Sequence, residues 1–181
     1  MLIPKKSLGQ NFLIDKNICK KIINLSDING KNIIEIGPGT GQLTDEIIKG
    51  KPKKLILIEK DTDLINFLKA KYLNYKNIIF INCDALKYDF SQIPNITIFS
   101  NLPYNISTKI IFKLLLNFNN INHMIFMVQK EVAEKLDYSK TKKINKNNFF
   151  IYNSCFYKKV FNISNNVFYP KPKIQSSIIT L

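Results

Sequence analysis

The chain contains no arginine, and all 27 of its basic side chains are lysines. Guanine edges in duplex DNA are read mainly by the bidentate guanidinium group, so this composition disfavours sequence-specific duplex recognition. Only 13 acidic residues oppose the lysines, which leaves a formal net charge of +14 and a pI near 9.6. Because lysine contacts phosphate as a point charge, the excess favours a polyanionic partner that is bound through its backbone and in a salt-dependent way.

Metal-binding and disulfide-forming residues are also scarce. One histidine, His123, and three widely spaced cysteines, Cys19, Cys83 and Cys155, offer neither a zinc-ligand spacing nor a disulfide framework. We therefore expect no metal site and a structural His123. No apolar run reaches the length of a membrane span, and residues 1–6 lack the hydrophobic core of a signal peptide. These absences predict a cytoplasmic protein with no membrane partner.

The 181 residues, 45% of them hydrophobic, suffice for one domain with a sizeable core. Short apolar runs alternate with segments of helical periodicity, which predicts βαβ units, a mostly parallel sheet and helices on both faces. The predicted strands are Asn32–Ile36, Leu55–Ile58, Ile78–Ile81, Ile96–Phe99 and Met124–Val128. The predicted helices are one that Asp15 caps, Gln42–Lys49, Thr62–Tyr72, Thr108–Phe118 and Lys130–Leu136.

The periodicity stops at Asp137. Residues 137–148 are polar and rich in lysine and asparagine, which predicts a loop. Aromatic and polar residues then alternate through Phe149–Ile163, and a second such segment is Gln175–Leu181; both predict antiparallel strands at one sheet edge. The aromatic cluster from Phe149 to Tyr157 is then edge-sheet core rather than a base-stacking platform. The lysine run is either a solvated loop or a contact to phosphates, and it comprises Lys140, Lys142, Lys143 and Lys146.

A glycine-rich loop follows the first predicted strand, where the chain reads Glu35-Ile36-Gly37-Pro38-Gly39-Thr40-Gly41. Glycines at such a turn let the backbone approach a ligand closely. The dinucleotide-binding fingerprint needs its third glycine three residues after the second, and that position is Gln42. An acidic residue before G-x-G-x-G resembles instead the first motif of class I S-adenosylmethionine-dependent methyltransferases, in which Gly37, Gly39 and Gly41 would contact the cofactor.

Two carboxylates end the next two predicted strands. Glu59 lies 22 residues after Gly37, where an acid can accept hydrogen bonds from both ribose hydroxyls. Asp84 lies in Asn82-Cys83-Asp84-Ala85, where a carboxylate can accept from an adenine amino group. Taken singly, each acid could be a strand-end cap. Their place after successive strands, together with the glycine loop, favours a nucleoside-binding site.

The tetrapeptide Asn101-Leu102-Pro103-Tyr104 follows the fourth predicted strand. An exocyclic amine such as adenine N6 is a poor nucleophile, and two hydrogen-bond acceptors would make its lone pair available. The Asn101 side-chain oxygen can be one acceptor, and the Leu102 carbonyl can be the other because Pro103 favours an extended Leu102. Tyr104 offers a face on which a base can stack. The pattern predicts methyl transfer to a nucleobase amine, with an ordinary turn as the alternative.

The chain resembles the rRNA adenine-N6 dimethyltransferase family, and most of all its bacterial small-subunit branch. The matching segments are Gly9–Leu13, Glu35–Gly41, Glu59, Asp84, Asn101–Thr108, Gln129–Leu136 and Phe168–Ser176. The resemblance implies a Rossmann-like class I fold, S-adenosylmethionine as cofactor, and cofactor contacts from Asn11 and Leu13. It also implies that Phe168 packs against the target adenine. The implied partner is small-subunit rRNA in a pre-ribosomal particle, bound by a monomer.

Members of the family continue after a strand matching Ile178–Leu181 into a small helical domain, whereas this sequence ends there. We therefore expect a single catalytic domain, residues 1–181, with a basic arm over residues 1–14. Three alternatives remain open: a DNA adenine-N6 methyltransferase, a large-subunit rRNA enzyme and a non-catalytic RNA-binding assembly factor. The leucine at position 102 disfavours the first, and intact Asn11, Glu59, Asp84 and Asn101 disfavour the last.

Overall fold

The computed structural model describes residues 4–116, 118–139 and 144–181, and its centre is a seven-stranded sheet of order β4-β3-β2-β5-β6-β9-β7. Its strands are β2 (Asn32–Ile36), β3 (Lys54–Glu59), β4 (Ile78–Asn82), β5 (Ile96–Asn101), β6 (Ile121–Gln129), β7 (Lys158–Ile163) and β9 (Ser176–Thr180). The first five strands are parallel, and β9 runs antiparallel between β6 and β7. The prediction of a mostly parallel sheet with antiparallel edge strands is confirmed.

Helices cover both faces of this sheet, as the nearly continuous apolar strands require. One face packs against α1 (Lys16–Ile23), α2 (Gln42–Lys49) and α3 (Thr62–Lys71), and the other against α4 (Ser107–Leu115), α5 (Lys130–Leu136) and α6 (Lys146–Ser154). Alternate strand residues divide between the two cores: Ile33 belongs to the first and Ile34 to the second. A separate antiparallel pair joins β1 (Phe12–Leu13) to β8 (Phe168–Tyr169).

Helix α1 begins where the sequence predicts it. The Asp15 carboxylate accepts hydrogen bonds from the backbone N–H groups of Asn17 and Ile18, which satisfies two donors that the first helical turn leaves unpaired. Cys19 and Ile22, one turn apart on the same helical face, are buried against the sheet. The cap and the apolar spacing therefore define this helix together.

The prediction of a strand throughout Phe149–Ile163 is wrong for its first half, because Lys146–Ser154 forms α6. The helix starts with a capping box: the Asn145 side chain accepts from two backbone N–H groups, and the Asn148 side chain accepts from the Asn145 N–H. The helix is weakly amphipathic, since only Asn148 and Ile151 of its nine residues are buried. Its aromatic and polar residues alternate along the sequence, and this period of two wrongly indicated a strand. Only β7, the second half of the segment, is extended.

Most of the predicted aromatic cluster is consequently not edge-sheet core. Phe149 and Tyr152 of α6 are exposed, as is Phe156 after the helix, while the Phe150 ring packs against Phe112 of α4. The loop predicted over 137–148 is wrong for its last three residues, because α6 begins at Lys146. The lysines at positions 140, 142 and 143 lie outside the described residues.

Within the ranges that the structure describes, no helix is long and apolar enough to cross a membrane. The same residues contain no group of three or more side chains that could hold a metal ion. His123 lies in β6, half-buried, and burial lowers the pKa of its imidazole.

Candidate active site

Four parallel strands bring the predicted site residues to one edge of the sheet. In the order β4, β3, β2 and β5, their carboxyl ends carry Asp84, Glu59, Gly37 and Asn101. Neighbouring strands lie about 4.8 Å apart, so three spacings separate the outer two positions by roughly 14 Å. All four residues line one cavity outside the strand ends. This is where an open parallel sheet binds its ligands.

The first turn of the glycine loop is open towards the cavity. Gly37 has φ of +66°, a conformation that side chains disfavour, and no atom lies within 4 Å of the position that a Cβ would occupy. Gly39 lines the same cavity, and a Cβ there would lie 2.9 Å from the Phe12 ring. The absence of a side chain at Gly37 therefore leaves space for a ligand. At Gly39 the same absence leaves space for the Phe12 ring.

Gly41, predicted as a third cofactor contact, does not line the cavity. It has φ of +86°, caps α2, and lies beneath the Tyr72 hydroxyl, which donates a hydrogen bond to its carbonyl oxygen at 2.9 Å. A Cβ at this position would collide with that hydroxyl. Since α3 occupies the space above it, Gly41 serves the packing of α2 against α3.

We expect the substitutions Gly37→Ala and Gly41→Ala to separate these two roles. Each places a side chain at positive φ, which costs about 1–2 kcal/mol. Gly41→Ala also displaces Tyr72, so it should lower the melting temperature by more than Gly37→Ala. Gly37→Ala should weaken cofactor binding more. Thermal unfolding and calorimetric titration with S-adenosylmethionine measure the two effects, and equal behaviour of the variants in both assays would contradict this division.

The carboxylate of Glu59 lies where the glycine loop meets β3. Its two oxygens accept backbone hydrogen bonds from Gly39 at 3.3 Å and from Asp61 at 2.9 Å. The side chain is 7% exposed, and burial raises the pKa of its carboxyl group. Each carboxylate oxygen has further acceptor capacity, so Glu59 can receive two hydroxyl donors from the cavity.

Asp84 lies after β4 with both oxygens engaged. One oxygen accepts from the Leu86 N–H at 2.9 Å, and the other pairs with the Lys60 ammonium at 3.0 Å. The backbone hydrogen bond and Lys60 together lower the pKa of this carboxyl group, which keeps it ionised. An ionised carboxylate with spare lone pairs can accept from an amino group at the cavity wall.

Glu35 is the most deeply buried acid of the site, at 2% exposure. Its side chain accepts a hydrogen bond from Thr44 of α2 at 2.6 Å. Burial raises the pKa of its carboxyl group from 4.5 to about 8. The folded protein therefore holds a proton that the unfolded chain loses near pH 4.5, and this group opposes folding increasingly as the pH rises from 4.5 to 8.

The variant Glu35→Gln should remove this pH dependence. It preserves the acceptor for Thr44 and cannot ionise, so its melting temperature relative to the wild type should rise by at least a few degrees (~3 °C) between pH 5 and pH 9. Glu131→Gln is the matched control because Glu131 is exposed and pairs with Lys135 in its own helix. The difference in melting temperature between this control and the wild type should stay the same from pH 5 to pH 9. If the difference for Glu35→Gln also stays the same, Glu35 is not protonated in the folded protein.

Asn101 ends β5, and its amide has a defined orientation. The Nδ2 group donates a hydrogen bond to the backbone carbonyl of Asn11 at 2.8 Å. A carbonyl can only accept, so this contact identifies the nitrogen and leaves Oδ1 as the free end of the amide. Among the described residues, no donor contacts Oδ1. The site therefore presents an unpaired acceptor at the β5 end of the cavity.

The rest of the tetrapeptide lines the same cavity. The Leu102 side chain is buried, and its N–H donates to the Met127 carbonyl, which holds the backbone against β6. The half-buried Tyr104 ring lies at the cavity wall, and its hydroxyl shares a hydrogen bond of 2.7 Å with Ser176. Burial raises the pKa of that hydroxyl, so it stays neutral. Pro103 completes the wall.

Phe168 is not brought to the cavity, contrary to the expectation from the resemblance. In β8 it pairs with Leu13 of β1, and this pairing places its ring in the core beside α1, with 4% exposed. Leu13, its strand partner, does line the cavity, as does Asn11. In this structure Phe168 supports the residues that form the wall.

Two residues contribute to the site without a signal in the sequence that assigns them to it. Lys60 lines the cavity and neutralises Asp84, and Gln10 connects the N-terminal segment to Asp61. Neither belongs to a recognisable spacing. Gln10 stands directly before Asn11 in a segment already singled out, which was the only available signal.

A sequence model of the family described as "Ribosomal RNA adenine dimethylase" matches residues 2–181. The protein named ribosomal RNA small subunit methyltransferase A of Pelagibacter ubique is 44% identical over 97% of this chain, which spans 68% of that protein. The protein of the same name from Malacoplasma penetrans is 42% identical over 97% of the chain, which spans 64% of it. The chain thus corresponds to about two thirds of the length of these relatives.

Solved structures agree with this assignment. A dimethyladenosine transferase from Plasmodium falciparum superposes with a TM-score of 0.84 at 32% identity, over 94% of this chain and 62% of that one. The 23S rRNA methyltransferase ErmE superposes with a TM-score of 0.83, over 93% of this chain and 68% of that one, and at 24% identity it shows the shared fold alone. The predicted class I methyltransferase fold is thereby confirmed. Because the family model matches residues 2–181 of the chain, the chain belongs to the ribosomal RNA adenine dimethylase family.

Proposed function

We propose that this protein transfers methyl groups to N6 of adenosines in small-subunit rRNA, with S-adenosylmethionine as the methyl donor. One observation carries the proposal. Asn101, whose amide oxygen accepts no hydrogen bond from the described residues, lines the same cavity as Glu59, Asp84 and the open backbone of Gly37. This arrangement supports a site in which an acceptor for the target amine lies beside a wall that binds a nucleoside.

The cavity fits the cofactor in three respects. Gly37 leaves room where the backbone turns, Glu59 can accept from two ribose hydroxyls, and Asp84 can accept from an adenine amino group. Bound there, S-adenosylmethionine supplies an electrophilic methyl group on a cationic sulfonium. Glu59 at the ribose position also disfavours a phosphate, because two anions would meet in a poorly solvated place.

The target amine is activated by acceptors of the chain itself. The Asn101 side-chain oxygen accepts one N–H of adenine N6, and the Leu102 carbonyl accepts the other. These contacts draw the nitrogen towards tetrahedral geometry and free its lone pair. The Tyr104 ring supplies a stacking surface for a base taken out of its helix. Ser176 holds that ring in place through the hydroxyl contact.

A strong general base is not needed in this arrangement. Attack on a cation neutralises the electrophile, so the amine proton can leave after the methyl group has been transferred. Asn101 and Leu102 accept hydrogen bonds without taking the proton. Orientation of the reactants should then supply much of the acceleration, up to about 7–11 kcal/mol. Two rounds in the same pocket give the dimethylated base.

The choice of RNA rests on charge and on the relatives. A net charge of +14 without arginine suits phosphate contacts without base reading. The relatives from Pelagibacter ubique and Malacoplasma penetrans are both named for the small ribosomal subunit. We further propose that the substrate is a pre-ribosomal particle. The protein would act there as a monomer with a single catalytic domain, in the cytoplasm.

Transfer of a labelled methyl group tests the proposal. The substrates are small-subunit particles whose rRNA lacks adenine methylation, naked large-subunit rRNA and duplex DNA. We expect label in small-subunit rRNA, recovered as N6-methylated adenosine after digestion. Label confined to DNA or to large-subunit rRNA would contradict the substrate. Tight particle binding without transfer to any of the three would indicate a non-catalytic assembly factor.

A further inference from the structure

A buried carboxylate outside the cavity holds the N-terminal arm, residues 5–13, in place. Asp61 begins α3, and its side chain is 2% exposed. One oxygen accepts from the Lys5 ammonium at 2.7 Å and from the Asp63 N–H at 3.1 Å. The other accepts from the Gln10 side-chain amide at 2.9 Å. The group of Lys5, Gln10 and Asp61 is called the Asp61 latch below.

Opposite charges on Lys5 and Asp61 stabilise the latch, and two further contacts of Lys5 add to it. The Lys5 ammonium also pairs with Asp63 at 2.7 Å, and the Lys5 N–H donates to the Gln10 side-chain oxygen at 2.7 Å. Although burial acts to raise the pKa of Asp61, hydrogen bonds from Lys5 and Gln10 outweigh it, so the carboxyl pKa lies below its usual value. Both ends of the Gln10 amide are thus committed to holding the arm.

The arm connects the latch to the reacting end of the cavity. Asn11 follows Gln10 directly, and its carbonyl oxygen receives the Nδ2 hydrogen bond that orients Asn101. At its other end Leu13 is fixed by pairing with Phe168. The Asp61 N–H donates to the Glu59 carboxylate, so the residue that grips the arm also contacts the predicted ribose acceptor.

We propose that Asp61, Lys5 and Gln10 are positioning residues, which fix the Asn11 carbonyl and thereby turn the Asn101 amide oxygen towards the target amine. The proposal rests on the proposed function for its catalytic consequence, while the latch itself can be tested without catalysis. When the latch opens, the Asn11 carbonyl is no longer held, and the Asn101 amide can rotate to present its nitrogen.

The test uses Lys5→Met and Gln10→Met in the full chain, because both spare the Asp61 side chain that caps α3. We expect faster hydrogen exchange at backbone amides of residues 8–14 in both variants. At saturating substrates, kcat should fall by about tenfold for Gln10→Met and somewhat less for Lys5→Met, since small misplacements of reacting groups cost large factors. The KM for RNA should not change.

Two further variants complete the design. Lys5→Arg retains the positive charge opposite Asp61 and should keep kcat near the wild-type value. Lys31→Met removes a lysine that pairs with the exposed Asp27 at the opposite end of β2, and it should leave both exchange and kcat unchanged.

Wild-type exchange of the arm in both methionine variants would overturn the latch. A raised KM for RNA with unchanged kcat in Lys5→Met would also overturn it, because that result describes a phosphate contact. If the wild-type protein transfers no methyl group, the proposed function fails, and the exchange measurement still decides whether the latch holds the arm.

Discussion

The substitution Asn101→Ala should lower methyl transfer by about 10²–10³-fold, the loss typical when one preorganised polar contact to a reacting group is removed. The variant keeps the strand and the cofactor wall intact, since the Asn101 side chain makes its hydrogen bond to the arm and not to Glu59 or Asp84. Affinity for S-adenosylmethionine should therefore change little. Single-turnover transfer and calorimetric titration measure the two quantities on the same preparation.

The matched control is Asn74→Ala, which removes an exposed asparagine beyond the end of α3. It should behave as the wild type in both assays. Near-normal turnover of Asn101→Ala would remove the proposed acceptor from the mechanism, even if the family assignment stands.

The substitution Glu59→Gln should act on binding. An amide in place of the carboxylate loses charge-assisted acceptance from two ribose hydroxyls, and hydrogen bonds to charged groups contribute about 1.5–3 kcal/mol each. We expect affinity for S-adenosylmethionine to fall by roughly 10–100-fold. Because burial raises the carboxyl pKa of Glu59, wild-type affinity should also weaken as the pH falls through that raised value. The Glu59→Gln variant should lose this pH dependence.

Glu131→Gln serves as the control, since it removes one carboxylate from an exposed pair whose members do not line the cavity. Its affinity and pH profile should match those of the wild type. An unchanged affinity in Glu59→Gln would mean that the ribose lies elsewhere, and the order of ligand groups along the sheet edge would then be wrong.

The central sheet was predictable because its signals are local. Each parallel strand is a short apolar run, and each following helix shows its own periodicity, so Asn32–Ile36 and Gln42–Lys49 have the predicted bounds. The four site positions were predictable for a related reason. Residues after successive parallel strands meet at one edge, so the positions needed only the correct strand assignments; they are Asp84, Glu59, Gly37 and Asn101.

Helix α6 was not predictable from its pattern, because its exposed aromatics alternate with polar residues as in a strand, although two asparagines cap it locally. Other features depend on contacts between distant residues. The packing of Gly41 beneath Tyr72 joins two residues 31 positions apart, and it was not visible in the spacing of the glycines. Phe168 is buried because β8 pairs with a two-residue strand of the arm. In the Asp61 latch, Lys5 and Gln10 precede Asp61 by 56 and 51 positions, so no local pattern reveals the contacts.

The most direct measurement is a crystal structure of the protein with S-adenosylhomocysteine and adenosine bound together. We expect the ribose hydroxyls of the cofactor product within about 2.5–3.2 Å of the Glu59 carboxylate. We expect N6 of the separate adenosine at a similar distance from Asn101 Oδ1 and from the Leu102 carbonyl. A cofactor product bound away from Glu59, or an adenosine whose N6 contacts neither Asn101 nor Leu102, would contradict this expectation.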